Sequence, residues 1–304
     1  MTASVLVVGS VAFDSVKTPF GEANEILGGS ATHFSVAASY FAPVRLVGVV
    51  GTDFSDAHLQ TFHKHKIDLD GLTFANGRTF RWAGEYSFDL NDRRTLDTQL
   101  NVFQNFIPVI PDSYRSSEYV FLGNIDPDLQ LNVLQQIKRP RLVACDTMNF
   151  WIEGKVDSLK RTLAHVDILI INDSETRELA GVPNLVKAAN KIMGMGPKTL
   201  IVKRGEYGVL MFHGSSIFAA PAFPLEDVYD PTGAGDTFAG GFIGALAHAD
   251  EINERTFRRG IIFGSVMASF NVERFGVERV SDLKRNEIDA RFRQFKALTH
   301  FEEL

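Results

Sequence analysis

The sequence predicts an α/β fold three layers deep, with helices on both faces of a mostly parallel central sheet and a small β-sheet lid beside it. Short runs rich in valine and isoleucine recur at 5–8, 46–50, 119–122, 142–145, 168–171 and 199–202. Unbroken apolar runs of this length suit strands buried on both faces. Between them, apolar residues fall at helical spacing over 31–41, 54–65, 129–137, 185–193, 237–247 and 256–270. Strands that alternate with helices imply a mostly parallel sheet covered on both sides. The lid is predicted by a change of period. Over 79–90, Phe80, Trp82, Gly84, Tyr86 and Phe88 fall on one face and Arg81, Ala83, Glu85, Ser87 and Asp89 on the other. That pattern is a half-exposed antiparallel strand.

Taken in order, residues 5–8 form the first strand. Segment 11–27 is polar and extended, with a turn near Pro19, Phe20 and Gly21. With a second insertion at about 73–104 it is expected to build the lid on a single domain spanning 1–304. The aromatic face of the lid must cover a ligand, the main domain or a second subunit. No repeat or low-complexity tract interrupts the later strands and helices.

The 304 residues are ample for a large core, and 45% hydrophobic with 22% charged residues is an ordinary globular composition. The net charge of −6 argues against a nucleic-acid surface. The single cysteine, Cys145, reads as a buried strand residue and rules out a disulfide framework. No signal peptide is read at the start and no apolar run reaches a membrane span, so a cytoplasmic location and no membrane partner are expected.

The most informative stretch is Asp230-Pro231-Thr232-Gly233-Ala234-Gly235-Asp236-Thr237-Phe238-Ala239-Gly240-Gly241, followed by an apolar helix. A glycine turn lets backbone N–H groups approach a phosphate, and a helix N-terminus adds partial positive charge. Asp236 stands at the junction, so the pattern reads as phosphoryl transfer to a hydroxyl. In the plainer reading Asp236 caps the helix and Gly240, Gly241 and Gly244 allow close packing, at roughly 1 kcal/mol each against alanine. No lysine follows the glycines, so this is not a Walker A loop. Gly9 is followed by Ser10, Val11 and Ala12, so the first strand lacks a dinucleotide fingerprint.

Five motifs in order, over nearly the whole chain, resemble the ribokinase-like or PfkB carbohydrate kinases. They are Gly9–Asp14, the pair Gly28-Gly29, Asn172 to Glu175 as an N-x-x-E motif, Gly205 with Gly208, and the glycine turn itself, with Pro231 where threonine is more usual. The resemblance implies a Rossmann-like ribokinase fold and ATP as phosphate donor with Mg²⁺. It implies Asp236 as general base and the N–H groups of Gly233, Ala234 and Gly235 as an anion hole. Asp14 would bind two sugar hydroxyls, and Gly28 and Gly29 would be the lid hinge. Glu175 would hold Mg²⁺ through water while Asn172, Gly205, Gly208 and Thr232 place the nucleotide. Asp230 and Thr232 resemble part of a monovalent-cation site for K⁺, with Gly276 standing where it would be completed.

Bland readings stand beside these. Asp14 could cap or close a turn, Gly28 and Gly29 could be a plain turn, and Asp173 or Ser174 could cap a helix whose dipole Glu175 or Glu178 complements. His33 occupies the place of a substrate-binding asparagine, which puts free ribose in doubt. Lys203 stands where the family usually has a threonine before the nucleotide-loop glycine, and a phosphate contact is the expectation for it. His58, His63 and His65 fit no zinc spacing. Arg93 and Arg94 either reach a phosphate or sit in water, and Asp146 follows a strand end with no assigned role.

The acceptor stays open between a nucleoside and a sugar or sugar phosphate. Trp82 and its neighbours tilt the reading to an adenosine-type nucleoside, because a base has the flat apolar face a sugar lacks. The same aromatic face would also serve a dimer formed through the lid, so monomer and homodimer both stand. A regulatory protein that binds nucleotide and sugar without turnover is the remaining class.

Overall fold

The computed structural model describes residues 3–90, 92–300 and 302. The ends of the expected domain and Asn91 within the expected lid segment lie outside the described residues. The strands are β1 (Val5–Val8), β2 (Ala12–Thr18), β3 (Gly21–Gly28), β4 (Val44–Val50), β5 (Asp68–Phe74), β6 (Phe80–Tyr86) and β7 (Arg93–Gln99). There follow β8 (Tyr119–Leu122), β9 (Leu142–Cys145), β10 (Ile168–Asn172), β11 (Thr199–Lys203), β12 (Val209–His213) and β13 (Ser216–Ala220). The helices are α1 (Ser30–Ala38), α2 (Asp56–Lys64), α3 (Pro127–Gln136), α4 (Asn149–Gly154), α5 (Val156–Leu163) and α6 (Asp173–Ala180). The last are α7 (Leu185–Met193), α8 (Ala234–Ala249), α9 (Glu254–Asn271), α10 (Glu278–Ser281) and α11 (Arg285–Thr299).

Nine strands form the main sheet in the order β13-β12-β11-β10-β9-β8-β1-β4-β5. The seven strands from β11 to β5 run parallel, and β12 and β13 close one edge as an antiparallel hairpin. The six apolar runs expected as strands all lie in this sheet. The polar edge strand β5 lacks a continuous apolar run because it is only partly buried, and the apolar runs at 209–212 and 217–220 form the hairpin strands beyond the six expected.

Alternation along the buried strands divides the core into two layers. Val5, Val7, Phe121 and Ile170 pack on one face with residues of α1, α8, α9 and α11. Leu6, Val8, Val120 and Ile171 pack on the other with residues of α3 to α7. Each aliphatic side chain buried this way contributes roughly 1.5–3 kcal/mol. Phe34 of α1 stacks on Phe121 at 4.3 Å between centroids, which ties that helix to the sheet centre. Among the described residues no helix is long and apolar enough to cross a membrane.

A second sheet of four strands, β3-β2-β6-β7, forms the lid. The expectation for residues 79–90 changes in two ways. The strand ends at Tyr86, so Phe88 lies in the following turn and is 87% exposed. Strand β6 is antiparallel to β7 but parallel to β2, because β2 enters the lid directly from the body. The outer face carries the Lys17–Glu85–Arg94 ion pairs. Near the body, Arg81 bonds Glu25 and Asp53, and Asp53 also accepts from the Thr79 N–H and hydroxyl.

Candidate active site

The glycine turn becomes the N-terminus of α8. Gly233 is its N-cap with φ +72°, a left-handed conformation that strains other residues. A Cβ at Gly233 would also fall 2.3 Å from the His33 imidazole. The backbone therefore needs glycine here twice over, for torsion and for space. The N–H groups of the first helical turn gather here, that of Ala234 also donating to the Pro231 carbonyl at 3.2 Å, and a helix N-terminus is the natural place for an anion.

Side chains from distant elements hold this turn. Asp230 is fully buried, and its two oxygens accept the N–H groups of Thr232 at 2.8 Å and Gly276 at 3.0 Å. Burial raises its pKa against those bonds. Asn271, at the end of α9, donates to the Thr232 carbonyl at 2.8 Å. Its Oδ1 accepts from the Thr237 hydroxyl at 2.8 Å and meets His33 Nδ1 at 3.1 Å. His33 is 2% exposed, and burial lowers its pKa to about 4, so the ring is neutral. Its Nε2 has no hydrogen-bond partner among the described residues.

Asp236 occupies the first turn of α8. Burial raises its pKa to about 7; the charge of Asp146 adds to this, while Lys203 and Arg93 oppose it. Glu175 is also raised to about 7, by burial first and then by Asp146. Its Oε2 accepts the Asn172 N–H and Asn172 Oδ1 accepts the Glu175 N–H, both at 2.8 Å, so the two form a capping box at the start of α6. Lys203, at the end of β11, meets Asp146, just after β9, at 3.5 Å. Gly205 and Gly208 bound the loop from β11 to β12. Asp146, Asn172, Glu175 and Lys203 meet because they lie at the C-terminal ends of the parallel strands β9, β10 and β11, where sites form in open α/β sheets, and α8 brings Asp236 to them.

The lid supplies the opposite wall. Asp14, in β2, is 6% exposed, and burial raises its pKa to about 7, offset by the Gly29 N–H and raised further by Asp230 and Asp236. Its Oδ2 lies 2.0 Å from where a Gly28 Cβ would be, so the carboxylate rests on the di-glycine. Asp14 and Trp82 are register partners in parallel strands and leave the same face of the lid. The Trp82 ring lies across Gly84, where a Cβ would meet it at 2.1 Å. Two residues further along, the Tyr86 hydroxyl reaches Thr232 Oγ1 at 3.2 Å, which turns this face towards the glycine turn.

Three contributors have no settled role in the sequence, two of them visible there and one not. Arg93 is paired in register with Tyr86, lies 5.2 Å over the Trp82 ring, and acts on Asp14, Glu175 and Asp236. Asp146 was detectable as an acid at a strand end, but its partner was not. Asn271 gave no signal, being 238 positions from His33. The histidine group is dispersed: His58 caps α2 through Ser55, and His65 bonds Ser39 and the Ser281 carbonyl.

The family model described as pfkB family carbohydrate kinase matches residues 3–283. The chain is 29% identical to the cytidine kinase of Thermococcus kodakarensis over 255 residues, covering 82% of this chain and 91% of that one. It is 26% identical to the ribokinase of Lactococcus lactis over 309 residues, covering 96% and 98%. The crystal structure of the Methanocaldococcus jannaschii nucleoside kinase superposes with a TM-score of 0.77 at 19% identity, covering 97% and 99%.

Proposed function

The chain belongs to the pfkB family of carbohydrate kinases, and on that premise we propose that it transfers the γ-phosphoryl group of ATP to a primary hydroxyl of a nucleoside. The observation that carries the acceptor is Trp82 beside Asp14 on the inner face of the lid. A carboxylate next to an indole matches a ribose next to a base: the acid accepts the sugar hydroxyls and the ring stacks the base. Such stacking contributes ~1–3 kcal/mol. The cytidine kinase and nucleoside kinase relatives support this reading. The ribokinase relatives fit a sugar acceptor, which has no base to stack on the indole.

Asp236 is the general base in this reading. A carboxylate with pKa near 7 accepts the hydroxyl proton more readily than an ordinary one, and such catalysis contributes typically ~10²–10⁴-fold. The N–H groups of Gly233, Ala234 and Gly235 stabilise charge on the transferring group, aided by the α8 dipole. The neutral His33 ring packs against Gly233 and so backs the turn, its buried Nε2 having no hydrogen-bond partner among the described residues. Asn172, Lys203, Thr232 and the Gly205–Gly208 loop border the nucleotide.

The donor set fits Mg²⁺ held largely by water and phosphate. Among the described residues no group of three His, Cys, Asp or Glu could cage a metal. Glu175 commits Oε2 to its capping box and keeps Oε1 for a metal-bound water. When bound, Mg²⁺ neutralises phosphate charge. A K⁺ ion at Asp230 would have to share a carboxylate already held by two N–H groups.

Calorimetric titration of nucleosides and ribose tests the acceptor. Trp82→Ala is expected to weaken nucleoside binding about 5–100-fold and leave ribose binding unchanged. Equal effects on both, or none on the nucleoside, contradict base stacking on the lid.

A further inference from the structure

Lys203 carries its ammonium against the glycine turn, in surroundings that leave it incompletely bonded. Gly235 lies inside α8 and has no left-handed torsion, so the backbone conformation does not call for glycine there. A Cβ at Gly235 would fall 2.8 Å from Lys203 Nζ, the movable end of a flexible side chain. That contact places the ammonium beside the helix N-terminus.

Among the described residues this ammonium has one hydrogen bond, to Asp146 Oδ2 at 3.5 Å. Charge-assisted N–H···O contacts usually measure ~2.7–2.9 Å. The Lys203 and Asp146 side chains are only 19% and 9% exposed, so water does little to complete the shell. An ammonium has three donors, and a sequestered one with a single long contact is under-satisfied. Glu175 and Asp236 act on it electrostatically and, with Asp146, keep it charged. Asp146 is better served: its Oδ1 accepts the Thr147 N–H at 2.8 Å, so the carboxylate keeps a partner if the lysine departs.

We propose that Lys203 rests on Asp146 and shifts its ammonium onto the terminal phosphate oxygens of a bound nucleoside triphosphate, Asp146 being the counter-ion that this anion displaces. The terminal phosphate brings oxygens to the helix N-terminus that the loose pair lies beside, and these supply the acceptors the ammonium lacks. A nucleoside diphosphate leaves that position empty, and the lysine returns to Asp146. The site then distinguishes donor from spent donor at the group being transferred. This inference rests on the kinase reading and concerns its donor side alone.

Calorimetry with Mg²⁺ and either ADP or the non-hydrolysable triphosphate AMP-PNP tests it. Lys203→Met is expected to weaken AMP-PNP binding by at least about tenfold, with ADP changed by less than about threefold. Asp146→Asn, which frees the ammonium, is expected to bind AMP-PNP at least as tightly as the unaltered protein. A pair that only supports the fold predicts that both variants lose both nucleotides alike, and that result overturns the proposal. Unchanged AMP-PNP affinity in Lys203→Met overturns it too. If Lys203→Met fails to fold with Asp146 left alone, the double variant Lys203→Met/Asp146→Asn carries the same comparison. Failure of the unaltered protein to bind either nucleotide would count against the kinase reading itself.

Discussion

Asp236 is governed by competing effects on one carboxyl group. Burial and the Asp146 charge favour the protonated form, while Lys203 and Arg93 favour the ionised one, and the outcome is a pKa of about 7. A base must be deprotonated to act, so kcat/KM for the acceptor is expected to rise with pH through about 7 and then level. Asp236→Asn is expected to lower turnover ~10²–10⁴-fold while nucleotide binding persists. Steady-state kinetics across pH 5.5–9 (roughly the span that brackets such a group), paired with nucleotide titration, checks both. Turnover near the unaltered level in the asparagine variant removes Asp236 as base. The acid and the turn were legible in the sequence because glycine, alanine, glycine and aspartate are contiguous and their chemistry is local. Asp146 and Arg93 were visible without a settled role and Asn271 was not visible, because each acquires its meaning from a partner on another element.

Helix α8 joins two kinds of glycine that look alike in sequence. Gly233 serves the turn through its left-handed torsion, and Gly235 lies against the Lys203 ammonium. Gly240 and Gly244 serve packing: a Cβ on Gly240 would fall 2.3 Å from the Phe34 carbonyl, and one on Gly244 2.9 Å from the Ala38 carbonyl, both in α1. Gly241 meets Met267 of α9 in the same way. The plain reading of close packing therefore holds for Gly240, Gly241 and Gly244, whereas Asp236 does not cap α8, whose N-cap is Gly233. Gly240→Ala gains helix propensity but drives a methyl group into the backbone of α1. The expected result is a net loss of about 1–3 kcal/mol, read as a lower denaturant midpoint. A midpoint at or above that of the unaltered protein contradicts close packing as the reason for this glycine. The N-x-x-E motif shows the same duality, since the bonds that cap α6 also orient Glu175 towards the cleft's charges.

The whole molecule sets two walls against each other. The parallel sheet presents its strand ends, with the glycine turn, Lys203 and Glu175, and the lid presents Asp14, Trp82, Tyr86 and Arg93. The layers were legible because buried strands and amphipathic helices impose periods of their own. The lid was legible as a change of period, though its parallel pairing with β2 was not, since pairing partners leave no mark within one strand. Which hydroxyl compound fills the space between the walls follows from shape and stacking, which no motif records. The most direct measurement is therefore phosphoryl transfer from ATP with Mg²⁺ to a panel of nucleosides, ribose, fructose, ketodeoxygluconate and fructose phosphates, with products identified by ³¹P NMR. Phosphorylation of a nucleoside at its primary ribose hydroxyl, with the highest kcat/KM on the panel, is the result this account predicts. Higher kcat/KM for a sugar or sugar phosphate, or no transfer to any acceptor, would contradict it.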